Sequence, residues 1–139
     1  MKLKSDLSVE GAKALFESVW QVTPLMQILP KSHFAELSTI FKVVSFSPGT
    51  VIIEKGENAE WLGIITDGSI TIQRGEDQVG KLSVGEMIGF TEVSGLEKEV
   101  IFEYDMIALT YGYIAFVTLT DLKLFKKKRP TLVLFHIIR

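Results

Sequence analysis

Between Lys42 and Thr118 the chain cannot run far in one direction. Pro48-Gly49, Lys55-Gly56-Glu57-Asn58, Asp67-Gly68, Arg74-Gly75-Glu76-Asp77, Val84-Gly85, Ser94-Gly95 and Tyr111-Gly112 punctuate it with turn-forming residues. Each supplies a backbone geometry or a local side-chain bond that favours reversal. Only short segments fit between them, and those segments are β-branched and aromatic, as strands are. Val51-Ile52-Ile53 and Leu62-Gly63-Ile64-Ile65 read as deeply buried strands. Ser69-Ile70-Thr71-Ile72-Gln73 alternates with period two, which predicts a half-buried strand. Many short strands at this spacing fold as a sandwich or a small barrel.

Helical signals flank this region. Leu15, Phe16, Val19 and Trp20 make one apolar face of a helix expected over Ser8 to Val22. Thr23-Pro24 ends it, because proline disfavours helical geometry in the residue before it, and Thr23 can cap a short turn beginning at Pro24. Leu29-Pro30 is a second break. Ser32 is the expected cap of a further helix in which Phe34, Leu37 and Phe41 share a face. At the other end, Thr118-Leu-Thr-Asp121 has the spacing of a capping box and starts a helix to about Lys128, which Pro130 ends or kinks. The tail Leu132-Val-Leu-Phe135, then Ile137-Ile138, is almost wholly apolar. It is expected to pack on the barrel or to meet a partner. The expected organisation is one domain over residues 1–139, with an N-terminal helical region at 1–41, a β-roll at 42–118 and C-terminal helices at 119–139.

Composition narrows the function classes. At 139 residues with 47% hydrophobic and 23% charged residues, the chain suits one globular domain. A net charge of −2 supplies no basic field for nucleic acid. The absence of cysteine removes disulfides, thiolate metal sites and thiol nucleophiles. His33 and His136 lie far apart, and neither falls on an expected strand; His33 follows the expected cap and should be exposed. A cupin-type metal centre, which needs clustered His and Glu on strands, is therefore not expected. No Ser/His/acid spacing is visible, and nothing places two acids across a cleft. No cofactor is expected. No apolar run is long enough to span a membrane, and the N-terminus lacks the apolar core of a signal peptide. A cytoplasmic, non-enzymatic protein is the default.

The ordered set Leu25-x-x-x-Leu29-Pro30, Phe46-Ser-Pro48-Gly49-Thr-Val-Ile52, Lys55-Gly56-Glu57, Gly63-Ile64-Ile65-x-x-Gly68-x-Ile70-x-Ile72 and Gly80-x-Leu82-x-x-Gly85-Glu86-x-Ile88-Gly89 resembles the cyclic nucleotide-binding domain. That is the β-roll module of catabolite-activator-like regulators, protein kinase A regulatory subunits and gated channels. The likeness covers roughly residues 25–125. It implies a mainly β fold, a β-roll or jelly-roll barrel of roughly eight strands with N-terminal and C-terminal α-helices.

The resemblance also marks what has changed. The family's phosphate-binding cassette runs Phe-Gly-Glu, a short helix, then an arginine; the glutamate holds the ribose hydroxyl and the arginine the cyclic phosphate. Here Ile88-Gly89-Phe90 stands at the first site, and Glu99 or, in a shifted alignment, Phe102 stands where the arginine belongs. No arginine occurs between Arg74 and Arg129. Closely spaced glycines at Gly85 and Gly89 suit an anion or merely a tight connection. Yet Glu86, Glu92, Glu97, Glu99, Glu103 and Asp105 face one base, Lys98. Losing one member of a buried charge pair costs about 2–5 kcal/mol, so cAMP and cGMP are not the expected ligands. The cassette-equivalent positions are Gly85, Glu86, Ile88, Gly89, Phe90, Thr91, Glu99, Phe102 and Tyr104. Phe90, Phe102 and Tyr104 are open to two readings: a stack for a base, or core that fills the vacated pocket.

The leading expectation is a regulatory module acting through protein contacts, a homodimer or another protein, by way of its C-terminal helices. Lys126, Lys127, Lys128, Arg129, Leu132, Phe135 and Ile138 are the interface candidates. The basic run also reads as a solvated helix end, where cations are favoured anyway. The alternative is a sensor for another nucleotide, a nucleoside or an uncharged molecule. A third is a truncated transcription regulator, but the chain stops at Arg139, before a helix-turn-helix could follow, so nucleic-acid binding is not expected.

Overall fold

Ser8 starts the first helix by accepting the Gly11 amide on its hydroxyl at 3.0 Å. In the computed structural model, which describes residues 8–20, 22–23, 29–89 and 100–130, this helix is α1 (Val9–Trp20). Phe16, Val19 and Trp20 are buried and Leu15 half-buried, the face expected from the sequence. Phe16 stacks on Phe34 and Phe41, with ring centres 5.6 and 4.7 Å apart, and Trp20 meets Phe34 edge-on. The turn expected at Pro24 lies outside the described residues.

The second helix is shorter than the pattern suggests. A 3-10 turn, Lys31–His33, leads into α2 (Phe34–Leu37), a single turn. Ser32 lies inside the 3-10 turn and does not cap; His33 holds the cap position without a side-chain bond. The Ser38 and Thr39 hydroxyls donate back to the carbonyls of Ala35 and Glu36, competing with helical propagation. Phe41 therefore joins Phe34 and Leu37 through a turn rather than along a helix. His33 is half-buried, not exposed.

The strands are β1 (Lys42–Phe46), β2 (Val51–Ile53), β3 (Trp61–Asp67), β4 (Ile70–Arg74), β5 (Asp77–Leu82), β6 (Met87–Ile88), β7 (Asp105–Ala108) and β8 (Gly112–Thr118). They form two antiparallel four-stranded sheets, ordered β1-β8-β3-β6 and β2-β7-β4-β5. This is the roll expected from the sequence, but not a closed barrel. Among the described residues β1, β2, β5 and β6 each pair on one side only. Two-residue β6 is too short to carry the ladder onward.

Register explains why β3 is buried along six consecutive residues. Directly opposed residues share a face. One face carries Val44, Ile114 and Ile65, then Gly63, Phe116 and Ile88, then Trp61. The other carries Val43, Ala115 and Ile64, and Leu62 with Val117. Both faces carry buried residues, and α1 packs against β1 and β3. A strand covered on both sides needs an uninterrupted apolar run. The expected alternation in β4 fails at Thr71, which is buried between Lys81 and Ile107 on the adjacent strands and donates to the Gly80 carbonyl at 3.5 Å.

The last helix is α3 (Leu119–Lys128), capped by Thr118, whose hydroxyl accepts the Asp121 amide at 3.1 Å. Leu122 is its buried residue. No helix among the described residues is long and apolar enough to cross a membrane. Thr118→Ala should lower stability by about 1 kcal/mol through loss of this cap, read as a fall in the urea midpoint. An unchanged midpoint would mean that the cap contributes nothing.

Candidate functional site

The cassette-equivalent segment begins where β3 and β6 meet. The Gly85 amide donates to the Ile65 carbonyl at 2.8 Å, the Ile65 amide to the Glu86 carbonyl at 3.0 Å, and the Glu86 amide to the Ser83 carbonyl at 3.0 Å. The Glu86 carboxylate turns back to accept the Ser83 amide at 2.9 Å. The backbone donor of Gly85 is thus spent on β3 and that of Glu86 within the turn. An anion-binding nest needs such donors pointing outward.

Gly89 has a φ of +82°, and a Cβ placed there would stand 2.5 Å from the Trp61 carbonyl oxygen and 3.6 Å from Phe102 Cζ. Only a residue without a side chain fits this approach. Trp61 and Phe102 themselves pack with ring centres 6.1 Å apart, and both are buried. The Trp61 ring lies over Gly63, where a Cβ would meet it at 2.7 Å. Ile88, opposite Gly63, and Ile114 complete the packing. Trp61 is the residue missed in reading the sequence. Its signal is the glycine two positions on: in a strand that residue shares its face, and its missing side chain makes room for a large ring.

Phe102 is held by its backbone as well. The Gly56 amide donates to its carbonyl at 2.9 Å, and its own amide donates to the Glu57 carbonyl at 2.8 Å. Beside it, Asp105 accepts the Lys55 amide at 2.9 Å, and Glu57 accepts the Glu54 amide at 2.9 Å. The Lys-Gly-Glu turn is therefore clamped to the strand that follows the cassette, and two of the local acids serve that clamp.

Of the remaining site candidates, Tyr104 stands apart from the Trp61–Phe102 pair. Its hydroxyl accepts from Arg74 Nη2 at 2.9 Å, with the guanidinium carbon 5.0 Å from the ring centre. Phe90, Thr91 and Glu99 lie outside the described residues, as do Leu132, Phe135 and Ile138. In the basic run, Lys126 is half-buried and Lys127 and Lys128 are exposed. Arg129 is not free: its Nη1 donates to Glu36 Oε1 at 2.6 Å, tying the end of α3 to α2. As both partners are partly exposed, this pair contributes about 0–1 kcal/mol. Among the described residues no three His, Asp or Glu side chains gather as metal ligands.

No family model matches the chain. Over 81 residues it is 31% identical to the cAMP-dependent protein kinase regulatory subunit of Mycosarcoma maydis, a match covering 55% of this chain and 15% of that protein. The chain thus spans a small fraction of that relative. In structure it resembles the N-terminal domain of a transcriptional regulator from Streptomyces coelicolor A3(2), with TM-score 0.71 at 21% identity over 81% of this chain and 80% of that one. It also resembles the regulatory subunit of a cAMP-independent protein kinase A from Trypanosoma brucei, with TM-score 0.69 at 21% identity over 89% of this chain and 48% of that one. The fold is that of the cyclic nucleotide-binding domain.

Gly89→Ala should destabilise the chain by about 1–3 kcal/mol, because it forces a left-handed backbone and a clash with Trp61. Phe102→Ala should cost about 3–5 kcal/mol. Denaturant unfolding checks both; a loss under about 0.5 kcal/mol in Phe102→Ala, the range of ordinary surface changes, would mean that Phe102 does not belong to the core.

Proposed function

We propose that this chain is a non-enzymatic regulatory module of the cyclic nucleotide-binding fold that does not hold cAMP or cGMP and works through protein contacts. The observation that carries this reading is the packing of Trp61 and Phe102 against Gly89. Two buried aromatic rings pack beside the cassette-equivalent turn, in a chain with no arginine between Arg74 and Arg129. A cyclic phosphate would enter without a guanidinium to pair with, and the amides of Gly85 and Glu86 are already bonded. A kinase regulatory subunit described as cAMP-independent shares the fold, so the architecture is compatible with regulation that does not run on cAMP. Contacts would pass through α3, where Leu124 is 52% exposed beside Lys127 and Lys128, and on into the apolar tail.

A second reading has one observation in its favour. An open hollow of about 420 Å³ adjoins Trp61, bounded by Glu60, Phe116, Thr118, Thr120 and Lys123. Its size suits a small ligand. One acid and one base in its wall suit a neutral or zwitterionic molecule such as a nucleoside.

Thermal unfolding separates the two. Saturation at about a hundred times Kd would stabilise the fold by about 2.7 kcal/mol, a rise of several degrees. No shift is expected from cAMP or cGMP at about 1 mM, a concentration that would saturate even a micromolar site. A saturable rise with either overturns the first reading, and a rise with adenosine or guanosine alone favours the second.

A further inference from the structure

The end of β3 opposite Trp61 lies about 20 Å away along the strand. There three turns meet and are tied together. The Gly49 amide donates to the Ala108 carbonyl at 2.8 Å and the Leu109 amide to the Ser69 carbonyl at 2.9 Å. Thr110 Oγ1 accepts the Ser69 amide at 3.0 Å. Beside them lies an open hollow of about 390 Å³.

Its lining has a distinct chemistry. Ser45 and Tyr113 are directly opposed on β1 and β8, and a bulge after Ile65 sets Asp67 of β3 opposite Tyr113, so that all three line the hollow. Tyr111, 76% exposed, stands at the rim, with Phe46 and Thr50 also in the wall. The lining holds one carboxylate, two phenols and several hydroxyls, but no lysine or arginine. Among the described residues the Asp67 carboxylate and the two tyrosine hydroxyls make no hydrogen bond or ion pair. An unbalanced carboxylate beside two aromatic rings is the complement of a cation that is also flat. A guanidinium stacks flat on an aromatic face while its edge donates to a carboxylate; an ammonium has three donors but no planar face to stack and no fork to match the carboxylate.

We propose that this hollow is a docking site for an arginine side chain of a partner polypeptide. It rests on the reading of the chain as a protein-contact module and uses nothing at the cassette-equivalent turn. Binding pairs the guanidinium with Asp67 and lays it against Tyr111 or Tyr113, and the tied turns keep the hollow formed without a ligand.

The test is an NMR titration of the whole ¹⁵N-labelled chain with acetyl-Gly-Gly-Arg-Gly-Gly-amide and, separately, with the same peptide carrying neutral citrulline. Saturable shifts are expected at the amides of Ser47, Gly68 and Gly112 with the arginine peptide only. Asp67→Asn and Tyr111→Ala should each weaken binding by about tenfold or more. Both positions are exposed, so the rest of the spectrum should stay in place and report an intact fold. No saturation below about 10 mM (a bound set by the weak affinity of a single anchoring side chain) would overturn the proposal. So would equal binding of the citrulline peptide, shifts centred elsewhere, or unchanged binding in both variants. Adding cAMP to the same sample reports at Gly85, Gly89 and Phe102. A response there counts against the reading of the module as blind to cyclic nucleotides and leaves the arginine result standing.

Discussion

The contact of Trp61 with Phe102, with Gly63 beneath the tryptophan and Gly89 against the Trp61 backbone, holds the two ends of the cassette-equivalent segment to one strand. Phe102 belongs to the chain just after that segment and Ile88-Gly89 to the chain just before it. Both are pressed on β3, one through its ring and the other through its backbone. The bonds from Gly56 and Glu57 to Phe102 extend this anchoring to the next turn. Burial of two aromatic rings is a large apolar contribution for one contact.

This arrangement gives the glycines at Gly85 and Gly89 a structural use that needs no ligand. In a phosphate cradle, closely spaced glycines free their amides for an anion. Here the Gly85 amide closes on the Ile65 carbonyl, and Gly89 exists to let β6 approach Trp61. The acids divide in the same way. Asp105, Glu57 and Glu86 each accept a backbone amide in a turn, so some of the negative charge around the segment is turn chemistry. Cap and turn carboxylates of this kind recur wherever amides would otherwise go unpaired.

The roll has two ends with different characters. Around Trp61 two buried aromatic rings pack together beside an open hollow that carries one acid and one base. Around Tyr113 and Asp67 the roll is aromatic, acidic and hollow, and the turns there are bonded to one another. Rigid turns are suitable supports because their geometry does not have to be organised on contact.

Much of the fold was legible in the residues. The spaced turn signals predicted short strands, the apolar run from Leu62 to Ile65 predicted a deeply buried strand, and Thr118 with Asp121 predicted the start of α3. These are local effects: turn residues, periodicity and caps act over a few positions. Other features depended on neighbours distant in sequence. Thr71 is buried because Lys81 and Ile107 flank it, and Phe102 is fixed by bonds to Gly56 and Glu57. The roll stays open because its edge strands find no further partner among the described residues. The absence of arginine between Arg74 and Arg129 and the phenylalanine at position 90 were sequence facts from the start, since they are matters of residue type. That Trp61 rather than Tyr104 packs on Phe102, and that a bulge in β3 brings Asp67 opposite Tyr113 and Ser45, only the tertiary structure decided. Register sets those neighbours, and register is a property of paired strands rather than of any one of them.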